Sequence, residues 1–177
     1  MREINELQDT YLHKNPLVRL YFKTKVRIAL GMANLKKGDK ILDFGCGAGW
    51  IKNNLIRKGY SVVGYDVVAR QSDVGDYRVL APNKIFASDV FEHISKEEIR
   101  EIIENFKKMN PKFELIVIIP TENWLSRRVR LFLGKTERVE SHITPLDEIL
   151  RILNSELKLV KKFNFLSVSW IGKFENN

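Results

Sequence analysis

Cysteine is nearly absent. The single one, Cys46, excludes a disulfide within the chain, and a cytoplasmic setting is the expectation that follows. Histidine is also scarce, at three residues. No His/Cys/Asp group has metal-ligand spacing along the sequence, and one cysteine excludes cysteine-rich zinc sites, so no metal is expected. No apolar run approaches the length of a membrane span. The first residues, Met1-Arg2-Glu3-Ile4-Asn5-Glu6, lack the apolar core of a secretory signal. Internal repeats and low-complexity stretches are missing too.

What is present fits one folded unit. A chain of 177 residues is long enough to bury a real core. Hydrophobic content of 44% and charged content of 29% exclude disordered and fibrous classes. Net charge is +8. That admits nucleic acid, an anionic membrane surface or an acidic substrate as partner without choosing among them. The basic residues gather in two places, Lys14 to Lys37 and Arg127 to Arg138. In the second, Trp124, Leu125, Val129 and Phe132 recur near helical spacing. A short amphipathic helix with an outward basic side is expected there.

The most informative run is Ile41-Leu42-Asp43-Phe44-Gly45-Cys46-Gly47-Ala48-Gly49. Apolar residues lead into an acid, and alternating glycines lead into a helix-like stretch. The order reads as a buried parallel strand, a tight turn and a helix start. Such glycines let the backbone approach a ligand and take positive φ. The spacing is G-x-G-x-G, whereas the dinucleotide fingerprint is G-x-G-x-x-G. Trp50 stands where its third glycine would fall. Asp43 is unwelcome beside a pyrophosphate, but suits a cofactor with a cationic centre and an amino-acid end.

These residues resemble the first motif of the class I S-adenosylmethionine-dependent methyltransferases. Ser88-Asp89-Val90-Phe91-Glu92-His93-Ile94 is similar to the segment after the fourth strand in their small-molecule-type, methyltransferase type 11-like branch. Pro120-Thr121-Glu122-Asn123 and Ser141-His142-Ile143 add a looser match. The resemblance runs from about residue 16 to the C-terminus. It implies an α/β, Rossmann-like, doubly wound fold. The sheet is then mostly parallel and seven-stranded, with a C-terminal antiparallel strand. Residues 1–177 are expected to form one methyltransferase domain, with 1–37 a helical N-terminal segment and 38–177 the core.

Local signals supply the elements. Pro16 opens a helix, and Lys37-Gly38-Asp39 is a turn. Strands are expected near 40–44, 61–65, 84–88 and 115–119. A helix near 49–58 is closed by Gly59. Ser95 and Glu98 make a capping box, with Ile94 and Ile99 as staple, for a helix running to about Met109. Thr144, Pro145 and Asp147 start another near 145–155. Residues 157–164 and 167–174 read as a closing antiparallel pair. Only 22 residues separate Asp66 from Asp89 (89 − 66 − 1). The region after the second strand is therefore expected to be short. It lacks a regular helix, and its third strand is reduced to about 77–80.

The resemblance implies S-adenosylmethionine as cofactor, with Asp43, Gly45, Cys46, Gly47 and Gly49 around it. Asp66 lies 21 residues after Gly45 (66 − 45) and can accept from both ribose hydroxyls. Asp76 can accept from the adenine amino group, and Asp89 faces the sulfonium side or the acceptor. His93 and His142 are the candidate general bases, each equally readable as a packing residue. Cys46 also reads as a small neutral filler of the turn. Three functions compete: a methyltransferase for a small-molecule or lipid-like acceptor, a nucleic-acid methyltransferase, and a noncatalytic cofactor-binding scaffold.

Overall fold

The computed structural model describes residues 14–121, 124, 128 and 142–176. Helix α1, Pro16–Ala33, begins where the Asn15 side chain accepts a hydrogen bond from the Leu17 N–H. It ends at Asn34 in a left-handed conformation. Strand β1 is Lys40–Phe44, helix α2 is Trp50–Arg57, and strand β2 is Ser61–Tyr65. Strand β3 is Lys84–Ser88 and helix α3 is Lys96–Met109. The expected capping box is present at α3, Ser95 and Glu98 bonding each other's backbone reciprocally. Strand β4 is Glu114–Pro120 and helix α4 is Leu146–Glu156. Strands β5, Lys158–Phe165, and β6, Ser169–Glu175, form the closing hairpin.

The sheet order is β2-β1-β3-β4-β6-β5. Pairs β1–β2, β1–β3 and β3–β4 are parallel, while β6 runs antiparallel to both β4 and β5. Strand alternation divides the core between two faces. Leu42, Ile85, Leu115 and Val117 pack with Ile99, Ile103 and Phe106 of α3 and with Ile149 and Leu153 of α4. On the other face, Ile41, Phe86, Ile116 and Ile118 pack with Val26 and Ala29 of α1 and with Ile51 and Leu55 of α2. Helices therefore cover both faces of a mixed sheet.

The described sheet has six strands where seven were expected. Residues 77–80, expected as a strand, instead contain the 3-10 turn Tyr77–Val79. No α-helix lies between β2 and β3; a second 3-10 turn, Ala69–Gln71, stands there instead. The reason is visible at the sheet edge. The Asp73 N–H donates to the Gly64 carbonyl at 2.9 Å, and the Gly64 N–H donates to Asp73 Oδ2 at 2.8 Å. Asp73 thus satisfies both backbone groups of Gly64, which a neighbouring strand would otherwise pair.

Thr144, expected to cap α4, donates its hydroxyl to the Ile94 carbonyl instead. Among the described residues no helix is long and apolar enough to cross a membrane. Most of the expected basic helix near 124–138 lies outside the described residues. Of that segment, Arg128 stacks on Trp124, with its guanidinium carbon 4.6 Å from the ring centroid.

Candidate functional site

Three parallel strands deliver acids to one edge of the sheet. Asp43 lies near the end of β1, Asp66 just after β2, and Asp89 just after β3. Strand β1 lies between β2 and β3, where the chain order reverses. In open α/β sheets this switch point, at the carboxyl ends of the strands, is where ligands bind.

The glycine turn grows out of β1. Gly45, Gly47 and Gly49 all have positive φ, at 69°, 49° and 73°. The Gly45 and Cys46 N–H groups both donate to the Tyr65 carbonyl, at 2.8 and 3.0 Å. Gly47 N–H donates to Asp66 Oδ2 at 2.8 Å, and Val68 N–H donates to Asp66 Oδ1 at 2.9 Å. Asp66 therefore holds the turn directly. A Cβ at Gly45 would collide with the Val90 side chain, so that glycine also brings the β1 turn against the β3 turn.

Asp43 is buried, and its Oδ2 accepts from the Lys52 N–H at 3.0 Å in the first turn of α2. Burial pushes its carboxyl up to about 7, against the opposing pull of that hydrogen bond and of the Lys52 charge. Cys46 is buried, with Sγ 3.3 Å from the Gln71 carbonyl oxygen. Burial, with Asp43 adding to it, pushes the thiol up to about 12. The thiol is thus neutral, as a turn filler should be.

Asp76 stands apart from this group in its contacts. It caps the Tyr77–Val79 turn and pairs with Arg78 at 2.9 Å. Asp89 is non-glycine at φ 55° and is tied into β4 by its N–H, which donates to the Ile118 carbonyl. Its carboxylate receives both a hydrogen bond from Ser88 and an ion pair at 2.6 Å from Lys25 of α1. Lys25 is 1% exposed, and its ammonium lies 4.4 Å from the Phe22 ring centroid.

The two candidate bases do meet. His93 and His142 form a T-shaped pair with ring centroids 4.8 Å apart. The backbone makes this possible, because Ile143 and Thr144 N–H groups donate to the Glu92 carbonyl at 2.7 and 3.2 Å. The donor atoms of Glu92, His93 and His142 all lie within 4.8 Å of one another.

Sequence reasoning missed two residues here. Lys25 reads as an interruption in an apolar stripe, yet it is the partner of Asp89. Asp73, which no motif singles out, closes the sheet edge and pairs with Lys52 at 2.7 Å. The two ion pairs join residues 64 and 21 positions apart, and no local pattern marks them. A surface groove of about 290 Å³ between Arg27, Leu30, Leu55, Lys58 and Tyr60 lies at the opposite end of β2 from Asp66. It is not part of this site.

Several known folds match this arrangement. The crystal structure of the PH0226 protein from Pyrococcus horikoshii superposes with a TM-score of 0.75, covering 100% of both chains at 18% identity. Magnesium protoporphyrin IX methyltransferase from Synechocystis, solved with bound S-adenosylhomocysteine, gives a TM-score of 0.63. It covers 92% of this chain and 88% of that one at 16% identity. Geranyl diphosphate C-methyltransferase from Streptomyces coelicolor gives 0.63, covering 88% and 80% at 10% identity. At these identities the likeness is one of fold. No curated protein matches the sequence. A family model described as a methyltransferase domain matches residues 11–157. The chain therefore belongs to the methyltransferase domain family.

Proposed function

We propose that this protein, as a single methyltransferase domain, methylates a small-molecule or lipid-like acceptor at the carboxyl edge of β1, β2 and β3. The observation that carries the reading is the glycine turn locked to Asp66, with three positive-φ glycines and a buried Asp43 beneath it. These residues fit S-adenosylmethionine as its cofactor. Each Asp66 oxygen accepts one backbone N–H and, as a carboxylate oxygen, retains capacity for a further donor such as a ribose hydroxyl. Val67, beside Asp66, is 88% exposed and offers an apolar surface to a base.

When bound, S-adenosylmethionine supplies a methyl group already activated on a sulfonium. The protein's own contribution is then chiefly orientation. Gly45 to Gly49 set the backbone path. Asp66 holds that path and faces the sugar. Asp43, buried at the root of the turn, is the acid nearest an amino-acid end and gains its charge when a cation approaches. Asp89, fixed by Lys25 and Ser88, borders the cleft at β3. His93 and His142 sit past that border, where either imidazole can take a proton from an acceptor hydroxyl or amine. Asp76, engaged with Arg78, would have to exchange that partner to reach an adenine amino group. The short path between β2 and β3 leaves little chain to cover the adenine, so a modest cofactor affinity goes with this reading.

Small-molecule acceptors are favoured because two structural neighbours are named for them, magnesium protoporphyrin IX and geranyl diphosphate. The test is an unbiased one. Purified protein is incubated with methyl-labelled cofactor and cell extract, and label is sorted into small-molecule, lipid, RNA and protein fractions. Label in the small-molecule or lipid fraction is the expected result. Label in RNA would replace this reading with a nucleic-acid methyltransferase. Cofactor binding with no label transferred anywhere would point to a scaffold.

A further inference from the structure

We infer that Glu92, His93 and His142 form a binding site for a divalent transition-metal ion of the zinc class. Their donor atoms lie within 4.8 Å of one another. Two donors bound tetrahedrally to one ion at about 2.1 Å lie about 3.4 Å apart. Binding would draw the donors together by up to about 1.4 Å through side-chain rotation of the three residues. The juxtaposition is built by the fold. Glu92 and His93 belong to the 3-10 turn Phe91–His93 that follows β3. His142 precedes α4, 49 residues later (142 − 93). Three hydrogen bonds hold the two segments together: Ile143 and Thr144 N–H to the Glu92 carbonyl, and Thr144 Oγ1 to the Ile94 carbonyl. The expected helix cap at Thr144 is given up to make this clamp.

The donor set selects the ion class. Two imidazoles and one carboxylate suit zinc, cobalt, iron or manganese, whereas magnesium and calcium prefer all-oxygen sites. Glu92 is buried, His142 is half-buried and His93 is exposed. The ion is thus anchored from inside and approached from solvent. Three protein ligands leave a fourth position open, as in catalytic rather than structural zinc sites. Val90, two residues before Glu92, packs against the glycine turn at Gly45. An ion held by the Phe91–His93 turn would therefore sit beside the cleft. There it would take an oxygen donor of the acceptor and lower that oxygen's pKa, so that with the ion bound the proton leaves to solvent and neither imidazole serves as base, a use that rests on the methyltransferase reading. Ion binding itself does not.

The test uses the full chain, stripped with a chelator and titrated with Zn2+ alone by calorimetry. Co2+ is used in parallel for its visible absorption. One equivalent is expected, with a cobalt spectrum of a nitrogen- and oxygen-ligated site and a raised thermal midpoint in Zn2+. His93→Ala and His142→Ala should each remove the cobalt spectrum and the thermal shift. Glu92→Gln should do the same, but its carboxylate is buried, so the two histidine variants decide if that protein fails to fold. A parent that takes up no Zn2+ overturns the site. Uptake that survives in the His93→Ala/His142→Ala variant overturns this choice of ligands. S-adenosylmethionine binding by the parent is measured in the same preparation. Its absence would count against the methyltransferase reading and leave the ion result standing.

Discussion

At the residue scale, two buried ionisable groups make the site sensitive. Asp43 has a folded pKa raised to about 7 by burial, well above the ordinary value near 3.9. Between those values the native protein holds a proton that the unfolded chain has released. Stability from this group is therefore fully present below about pH 4 and lost as pH rises through about 7. In Asp43→Asn this pH-dependent loss should be absent, which thermal melts from pH 4 to 8 would reveal. The difference between the two proteins should reach a few kcal/mol at most. Equal pH slopes would show that Asp43 is charged in the fold throughout. Lys25 is the second case. Lys25→Met keeps the stem volume but strips Asp89 of its counter-charge. A loss of about 1–3 kcal/mol is expected in urea unfolding, partly recovered by adding Asp89→Asn. An unchanged midpoint would mean the pair contributes nothing net.

At the scale of elements, capping and turns decide. Ser95 and Glu98 satisfy the first turn of α3 reciprocally. Ser95→Ala should cost about 1 kcal/mol by denaturant titration. The β5–β6 hairpin turns through Leu166 and Ser167, both at positive φ, with Val168 N–H donating to the Phe165 carbonyl. Two consecutive left-handed residues make the turn that favours Asn-Gly. Leu166→Asn with Ser167→Gly should therefore stabilise the protein by roughly 1–2 kcal/mol. A fall in the melting midpoint would show that Leu166, 64% exposed, has a packing role after all. Elements of this kind were legible in the sequence. The apolar run 115–119, the capping box at Ser95 and the start at Pro16 carry their own local chemistry. The segment 77–80 was not. Its apolar residues suit an edge strand, but Asp73 had already taken the edge at Gly64, and a side chain returning to a strand backbone nine residues earlier leaves no periodic signal.

For the whole molecule, the same division holds within the site. Asp43, the glycines and Asp66 could be read because the strand-turn-helix unit fixes their spacing. Lys25, Asp73 and the meeting of Glu92 with His142 depend on how distant segments stack, so composition and periodicity leave them invisible. The central claim is that the Asp66-locked turn binds S-adenosylmethionine, and calorimetry on the parent, Gly47→Val and Asp66→Ala proteins tests it most directly. The parent should bind S-adenosylmethionine or S-adenosylhomocysteine and not NAD. Gly47→Val should abolish binding, and Asp66→Ala should weaken it by roughly 1–3 kcal/mol. NAD binding with no response to S-adenosylmethionine, or full affinity in Asp66→Ala, would contradict the account.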